Sequence, residues 1–251
     1  MEVIALLNQK GGVGKSTTAA ALGAGLTRAG YRVLYFDLDA QGNLTSTMGA
    51  SSTGTTALEV LTRRARAQDA IQNTPQGAII AAGAGLAAEG ILRATGKEYR
   101  LKEAIEPIKK RYDYILIDCP PSLGILTINA LTAATSCIVP AQADAYSLQA
   151  IGQLAQTLDA IRQHTNPALS LKGILITRYS GRAILRREVS EMLQDAAAQL
   201  HTRVFDTRIR ECIAIGEAQI VKRDIFSYAP RSNAAADYTA FTQEVIEGSK
   251  A

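Results

Sequence analysis

Residues 10–17 read Lys-Gly-Gly-Val-Gly-Lys-Ser-Thr, and this octapeptide restricts the fold more than any other part of the chain. It overlaps the phosphate-binding pattern G-x-x-x-x-G-K-[ST], running from Gln9 to Ser16 with Gln9 in place of the usual opening glycine. Such a loop works only between a strand and a helix. Before it, Val3-Ile4-Ala5-Leu6-Leu7 is a short apolar run of strand type; after it, Thr17 to Ala29 is Ala/Leu-rich and helical. Glycines let successive backbone N–H groups turn inward around phosphate oxygens. The cradle would consist of Gly11, Gly12, Val13, Gly14, Lys15, Ser16 and Thr17. Lys15 would bring a point charge to the β/γ-phosphates, the Ser16 hydroxyl would ligate Mg²⁺, and the positive end of the following helix would face the same phosphates. A glycine-rich turn with no binding role is the competing reading, and the lysine, the hydroxyl and the strand–helix context all speak against it.

The chain has 251 residues, 47% apolar and 20% charged, ordinary for a globular, soluble protein and compatible with one open α/β unit. No apolar run approaches the ~18 residues of a membrane span, and no secretion signal precedes the first strand. Cys119, Cys137 and Cys212 are scattered and odd in number, which fits buried thiols in a reducing cytoplasm better than a disulfide framework. The net charge of +4 permits nucleic-acid binding without requiring it.

Strand-like runs recur at 33–36, 79–82, 114–117, 137–140 and 174–177, with a short one at 204–205. Helical patterns lie near 98–110, 124–134, 147–164, 183–200 and 233–247, and the Gly/Ser/Thr-rich stretch 42–57 reads as a loop. Apolar strands alternating with helices predict an α/β fold: one domain over 1–251, a mostly parallel twisted sheet with helices on both faces. Carboxylates fall at strand ends, where such sheets bind ligands. Asp37 and Asp39 alternate after the second strand and can face the same side, one ordering the water shell of a metal and the other positioning an attacking water. Asp118 ends the run Ile115-Leu116-Ile117, where it would hold Mg²⁺ opposite Ser16. Helix capping or turn formation is the alternative for each of these acids.

The ordered set of motifs resembles one family. Lys10-Gly11-Gly12-Val13-Gly14-Lys15-Ser16-Thr17 is similar to the deviant Walker A box of the ParA/MinD/Soj ATPases. In that family the first lysine, Lys10 here, crosses a dimer interface to the partner's nucleotide. Asp37-Leu38-Asp39-Ala40-Gln41-Gly42-Asn43 resembles the second box, which implies a hydrolytic role for Asp39, with Ala40 where proline is usual. Asp118-Cys119-Pro120-Pro121-Ser122 resembles the D-x-P-P-S switch segment, and Pro140 to Leu148 resembles P-x-Q-x-E-x-x-[SA]-L with Asp144 replacing glutamate. The resemblance covers nearly the whole chain. It implies a deviant Walker A P-loop ATPase that binds ATP and Mg²⁺ and hydrolyses ATP slowly, with Lys10, Lys15 and Asp39 as catalytic residues and Ser16, Asp39 and Asp118 at the metal. It also implies a homodimer when ATP is bound, stimulation by a ParB-like protein, and a cytoplasmic, nucleoid-associated role in partitioning a plasmid, chromosome or mobile element.

Non-specific DNA is the remaining implied partner. Between Arg178 and Arg231 the chain carries ten basic and seven acidic residues, and a solvated charged helix would account for that balance by itself. Tyr179-Ser180-Gly181-Arg182, however, resembles the Y-x-G-R segment whose arginine contributes to DNA binding. Arg182, Arg186, Arg187, Lys222 and Arg223 are therefore the DNA-binding candidates. The segment from Arg210 to Gln219 departs from the family's P-R-N-x-R-x-x-E-A-P: Arg210 replaces proline and Ala214 replaces a DNA-binding arginine. DNA contacts in that segment are then either lost or taken over by Arg208, Arg210 and Lys222.

Four other readings are open. A MinD-like regulator needs a C-terminal amphipathic membrane helix, whereas residues 242–250 are acidic and weakly apolar. A nitrogenase-reductase-like protein needs cysteines placed for a shared iron–sulfur cluster, which Cys119 and Cys137 do not match. A metabolic ATP-dependent ligase of the same fold needs a small-substrate pocket that no motif marks. A positioner of a non-DNA cargo would use the same dimer and DNA patch. No helix-turn-helix extension precedes the first strand, so the resemblance is to short ParA forms that do not repress an operator by themselves.

Overall fold

The computed structural model describes residues 1–87, 95–180 and 184–249, without the side chains of residues 145, 146 and 184–190. In chain order the elements are β1 (Glu2–Leu6), α1 (Lys15–Arg28), β2 (Val33–Asp37), α2 (Asn43–Met48), α3 (Ala57–Leu61), β3 (Ile71–Thr74) and β4 (Gly77–Ile80). Then come α4 (Arg100–Ile105), β5 (Tyr114–Asp118), α5 (Ile125–Ala133), β6 (Ser136–Gln142), α6 (Ala145–His164) and β7 (Ser170–Tyr179). The chain ends with α7 (Ile184–Gln199), β8 (Val204–Arg210), α8 (Ile213–Ile220), α9 (Ile225–Tyr228) and α10 (Asn233–Gly248).

One eight-stranded sheet, in the order β3-β4-β2-β5-β1-β6-β7-β8, organises these elements. All neighbours are parallel except β3, which runs antiparallel to β4 at the edge. The central strands are continuous apolar runs because both faces are covered. Their side chains still divide with period two. Val3, Ala5, Leu34, Phe36, Ile115 and Ile117 pack under the layer formed by α3, α4, α5, α6 and α7. Ile4, Leu6, Tyr35, Leu116 and Ile138 pack under α1, α2, α8, α9 and α10. The connection from β1 leads to β2 on one side, and the connection from β5 leads across β1 to β6 on the other. The carboxyl ends of β1, β5 and β6 therefore flank a crevice where the winding changes direction, the usual ligand position in such sheets.

The expected strands and long helices are present, but the helix expected near 98–110 is only α4 (Arg100–Ile105) between 3₁₀ turns at Lys97–Tyr99 and Lys109–Arg111, α3, α8 and α9 were not expected, and further segments differ. Residues 42–57 are not all loop: α2 occupies Asn43–Met48. Gly42 and Gly49 bracket it in left-handed backbone (φ 62° and 71°), and a tertiary tether, the Asp37 carboxylate accepting from Thr45, holds a sequence of low helix propensity in place. The hairpin strand β3 has the mixed sequence Ile71-Gln72-Asn73-Thr74, which lacks a strand signature because it is a half-exposed edge. β8 extends well past Phe205, to Arg210.

α1 lies very close to the sheet. A Cβ on Gly23 would stand 2.3 Å from the ring and hydroxyl of the wholly buried Tyr35. Gly→Ala ordinarily stabilises a helix by about 0.5–1 kcal/mol. Here overpacking by about 1–3 kcal/mol wins, so Gly23→Ala should lower the melting temperature by roughly 2–8 °C in calorimetry. An unchanged or raised value would mean that Tyr35 can swing out at no cost.

Candidate nucleotide and metal site

The loop between β1 and α1 is built for close approach. Gly12 (φ 75°) and Gly14 (φ 88°) take left-handed backbone, and Gly14 is the N-cap of α1. Around Gly11 and Gly12 no protein atom lies within 4 Å of where a Cβ would stand, so that space belongs to the crevice. The neighbouring strands fasten the loop from behind. The Thr177 hydroxyl donates to the Val13 carbonyl (2.8 Å) and the Gln142 amide donates to the Gly12 carbonyl (3.1 Å). Asn8 donates to the Pro140 carbonyl (2.8 Å) and accepts from the Lys10 backbone N–H (2.9 Å). Asn8, Gln142 and Thr177 were not candidates from sequence. Each is a polar residue at the end of an apolar strand, a signal that could have found them.

The crevice has a volume of about 690 Å³. Gly11, Gly12, Gly14, Lys15, Ser16 and Thr17 line it together with Asp39 and with Asn43, Ser46 and Thr47 of α2. α8 adds Gly216, Gln219 and Ile220, and the Gln219 amide donates to the Thr17 hydroxyl (3.0 Å). The size and the row of backbone donors at a helix N-terminus suit a nucleoside triphosphate.

Three carboxylates converge beneath the loop, and they are not equivalent. Asp37 is wholly buried and satisfied: it accepts from the Thr45 N–H (2.8 Å), the Thr45 hydroxyl (2.7 Å) and the Asp39 N–H (3.0 Å). Burial nevertheless pushes its carboxyl up to about 6, with the Thr45 and Asp39 donors resisting. Asp37 thus anchors α2 and does not share the crevice with Asp39, contrary to the expectation that both face the ligand. Asp39 is 7% exposed and lines the cavity, one oxygen accepting from the Gln41 N–H (3.0 Å).

Asp118 is wholly buried, and neither of its oxygens has a full hydrogen bond among the described residues. Burial drives its carboxyl well above the ordinary range and Asp37 adds to this; the Ser16 hydroxyl and the Lys15 ammonium pull the other way. A buried acid without a donor is expensive unless something cationic meets it. Lys15, 7% exposed, is the resident cation: desolvation lowers its pKa while Asp118 and Asp39 hold it up. Orphaned oxygens beside a hydroxyl are hard ligands that fit Mg²⁺. Among the described residues no group of three or more His, Cys, Asp or Glu forms a metal cage.

Lys10 does not point away from its own chain. It is ion-paired with Asp144, and its ammonium also donates to the side-chain amide oxygen Oε1 of Gln142 (3.4 Å). Asp144 in turn caps α6, accepting from the Ser147 N–H (2.9 Å) and hydroxyl (3.1 Å). Partial burial works to raise the Asp144 carboxyl; Lys10 and Ser147 outweigh it and leave it below the usual range.

Of the predicted DNA-binding residues, Lys222 and Arg223 have described side chains. Arg182 lies outside the described residues; Arg186 and Arg187 fall in the first turn of α7, and their side chains are not among those described. Lys222 is exposed, in left-handed backbone (φ 54°) just past α8, and Arg223 donates to the Ser227 carbonyl (2.8 Å). Arg210 cannot replace the DNA-binding arginine at low cost, since its guanidinium forks onto Asp237 at 2.6 and 3.0 Å. Arg208 lies over the Tyr179 ring, 4.9 Å from its centroid. The cysteines are free thiols, Cys119 and Cys137 buried and Cys212 half-buried. Among the described residues no helix is long and apolar enough to cross a membrane.

Comparison with known proteins places this geometry. Residues 1–171 match a family model described as an AAA domain. The chain is 37% identical over 250 residues to the sporulation initiation inhibitor protein Soj of Bacillus subtilis, covering 97% of this chain and 98% of Soj. It is 37% identical to the chromosome partitioning protein ParA of Caulobacter vibrioides, covering 98% and 94%. A crystal structure of cobyrinic acid a,c-diamide synthase from Mycobacterium smegmatis with bound ADP and magnesium superposes with a TM-score of 0.86 at 35% identity, covering 100% of this chain and 96% of that one.

The orphaned carboxylate generates an unusual pair of outcomes. Asp118→Asn replaces a donor-poor buried acid by a group that cannot ionise, and leaving such an acid unsatisfied costs on the order of 1–3 kcal/mol, so the ligand-free protein should melt about 2–8 °C higher. The same substitution should abolish the further rise that Mg²⁺ and ATP together give the parent protein. Thermal scans with and without both ligands test this, and a destabilised ligand-free variant would contradict the account.

Proposed function

The chain belongs to the Soj/ParA family of chromosome-partitioning ATPases, and from that premise we propose that it is an ATP-operated dimerisation switch that carries a partition complex over DNA. The observation that carries the proposal is the donor-poor acidic pocket of Asp118 and Asp39 set under a phosphate loop, with a second lysine at its mouth. Backbone N–H groups of residues 11–17 bind the phosphates, and Lys15 neutralises the charge between them and the acids. Ser16, Asp39 and Asp118 would hold Mg²⁺, whose chemistry there would be to neutralise phosphate charge. Asp39 is the acid with access to the crevice, and it orients the water that attacks the γ-phosphate.

Lys10 acts in trans. In the single chain Asp144 holds it at the mouth of the loop. A phosphate from a second copy offers a stronger partner, since a half-exposed pair such as Lys10–Asp144 contributes no more than about 1 kcal/mol. Lys10 then leaves Asp144 and closes the dimer around two nucleotides. Arg182, Arg186, Arg187, Lys222 and Arg223 supply the DNA contacts, and a ParB-like protein accelerates hydrolysis and so separates the dimer. The protein works in the cytoplasm at the nucleoid, as a single ATPase domain.

Size-exclusion chromatography with ADP, with ATP, and with a non-cleavable analogue, each with and without non-specific duplex, tests the switch. The expected result is a dimer, and DNA association, only with the triphosphate. A monomer at saturating analogue would end the proposal. Lys10→Ala should bind ATP within a fewfold of the parent yet elute as a monomer; a normal dimer would remove the trans role. Asp39→Ala should dimerise with ATP and lose turnover by about 100-fold or more, the usual scale for a group that positions or deprotonates the nucleophile. Turnover at the parental rate would transfer that role elsewhere.

A further inference from the structure

The net charge of this chain is not spread evenly along it. Between Thr56 and Tyr112 it carries ten Lys/Arg against six Asp/Glu, while the rest is balanced at seventeen of each. This basic flank has a shape. Arg63, Arg64, Arg66 and Arg100 surround a cleft of about 480 Å³ between α3 and α4, floored by Val60 and Ala104. Its walls are fastened to the core. Leu61, Ala67, Leu101 and Ile105 are buried on either side, and Asn129 of α5 accepts from the Leu101 N–H (3.1 Å) while donating to the Lys97 carbonyl (2.9 Å). Guanidinium groups are thus presented from rigid backbone.

Three of the four arginines have acidic neighbours: Arg63 with Glu103, Arg64 with Glu59 (3.8 Å) and Arg66 with Asp69 (2.8 Å). These pairs do not hold the fold. The arginine side chains are 60–75% exposed, and such surface pairs are easily exchanged. A guanidinium has five N–H donors, so each arginine keeps donors to spare for a phosphate.

The position of the flank selects the kind of polyanion. α3, α4, α5, α6 and α7 form one layer, each packed on the next. Neighbouring helix axes lie roughly 8–10 Å apart, so the cleft and α7 are separated by roughly 25–40 Å. That interval is close to one turn of B-form DNA, about 34–36 Å. A small anion could use one end only, whereas a duplex lying across the layer can meet both.

We propose that the arginine cleft between α3 and α4 is a second contact surface for the phosphate backbone of duplex DNA, at the opposite end of the helical layer from α7. This rests on the DNA-binding reading above and adds to it a site outside the Arg182–Arg223 segment. The contacts are non-specific, since backbone phosphates carry no sequence information.

The test is a salt titration of duplex binding with the full chain and a non-cleavable ATP analogue. The triple variant Arg64→Gln, Arg66→Gln, Arg100→Gln should bind at least roughly tenfold more weakly at low salt. Its slope of log affinity against log salt should be shallower by about 2–3, close to 0.9 for each phosphate no longer neutralised. Its analogue-dependent dimerisation and DNA-free ATP turnover should be unchanged. Glu103→Gln, which releases Arg63, should tighten binding severalfold, a gain that a merely structural cluster would not produce. Parental affinity and slope in the triple variant would overturn the inference, whether the flank is only solvated or serves an acidic protein. Absence of DNA binding by the parent protein would overturn the DNA reading as well, so the two failures are distinguishable.

Discussion

A buried carboxylate left without a full hydrogen bond among the described residues is the constraint around which this molecule is arranged. Asp118 sits at the end of a fully buried central strand of the sheet, with neighbours on both sides and a helical layer on each face. The fold supplies Lys15 at a distance and Ser16 beside it, but no full hydrogen bond. The remaining demand is for a cation and the phosphates that accompany it. Much of the surrounding construction keeps this demand unanswered from within. Asp37 directs its acceptors to α2 and to the Asp39 backbone. The loop glycines keep side chains out of the crevice.

The same sheet ends serve as fasteners. Thr177 of β7 and Gln142 of β6 hold the loop from behind, and Gln142 also contacts Lys10. Lys10 is linked through Asp144 to the first turn of α6. The mouth of the phosphate loop is therefore in contact, through Lys10 and Asp144, with the start of a twenty-residue helix that packs against α7.

Legibility in the sequence differed from element to element. The phosphate loop, Lys15, Ser16, Asp39 and Asp118 were readable because each needs a fixed residue type at a strand end or helix start, and local order along the chain places them. β1, β2, β5, β6 and β7 were readable as apolar runs because they are covered on both faces. α2 was not, since its helical state depends on Thr45 reaching Asp37 rather than on its own propensity. β3 was not, since an edge strand of mixed polarity resembles a loop. The departures at Arg210 and Ala214 were visible, but the commitment of Arg210 to Asp237, twenty-seven residues on, was not.

What the sequence by itself determined is the residue content of the crevice and its frame: a glycine-rich loop between strand and helix, acids at strand ends, an extra lysine and a parallel α/β sheet, because these follow from residue type and short-range periodicity. Only the tertiary structure decided how identical residue types divide their roles. Asp37 and Asp39 are two positions apart in sequence, yet one is an anchor and the other faces the crevice. Lys10 could have pointed anywhere until β6 brought Asp144 beside it. The physical reason is common to these cases: the free energy of a charge depends on its desolvation and on its nearest partners, and both are set by segments distant in the chain.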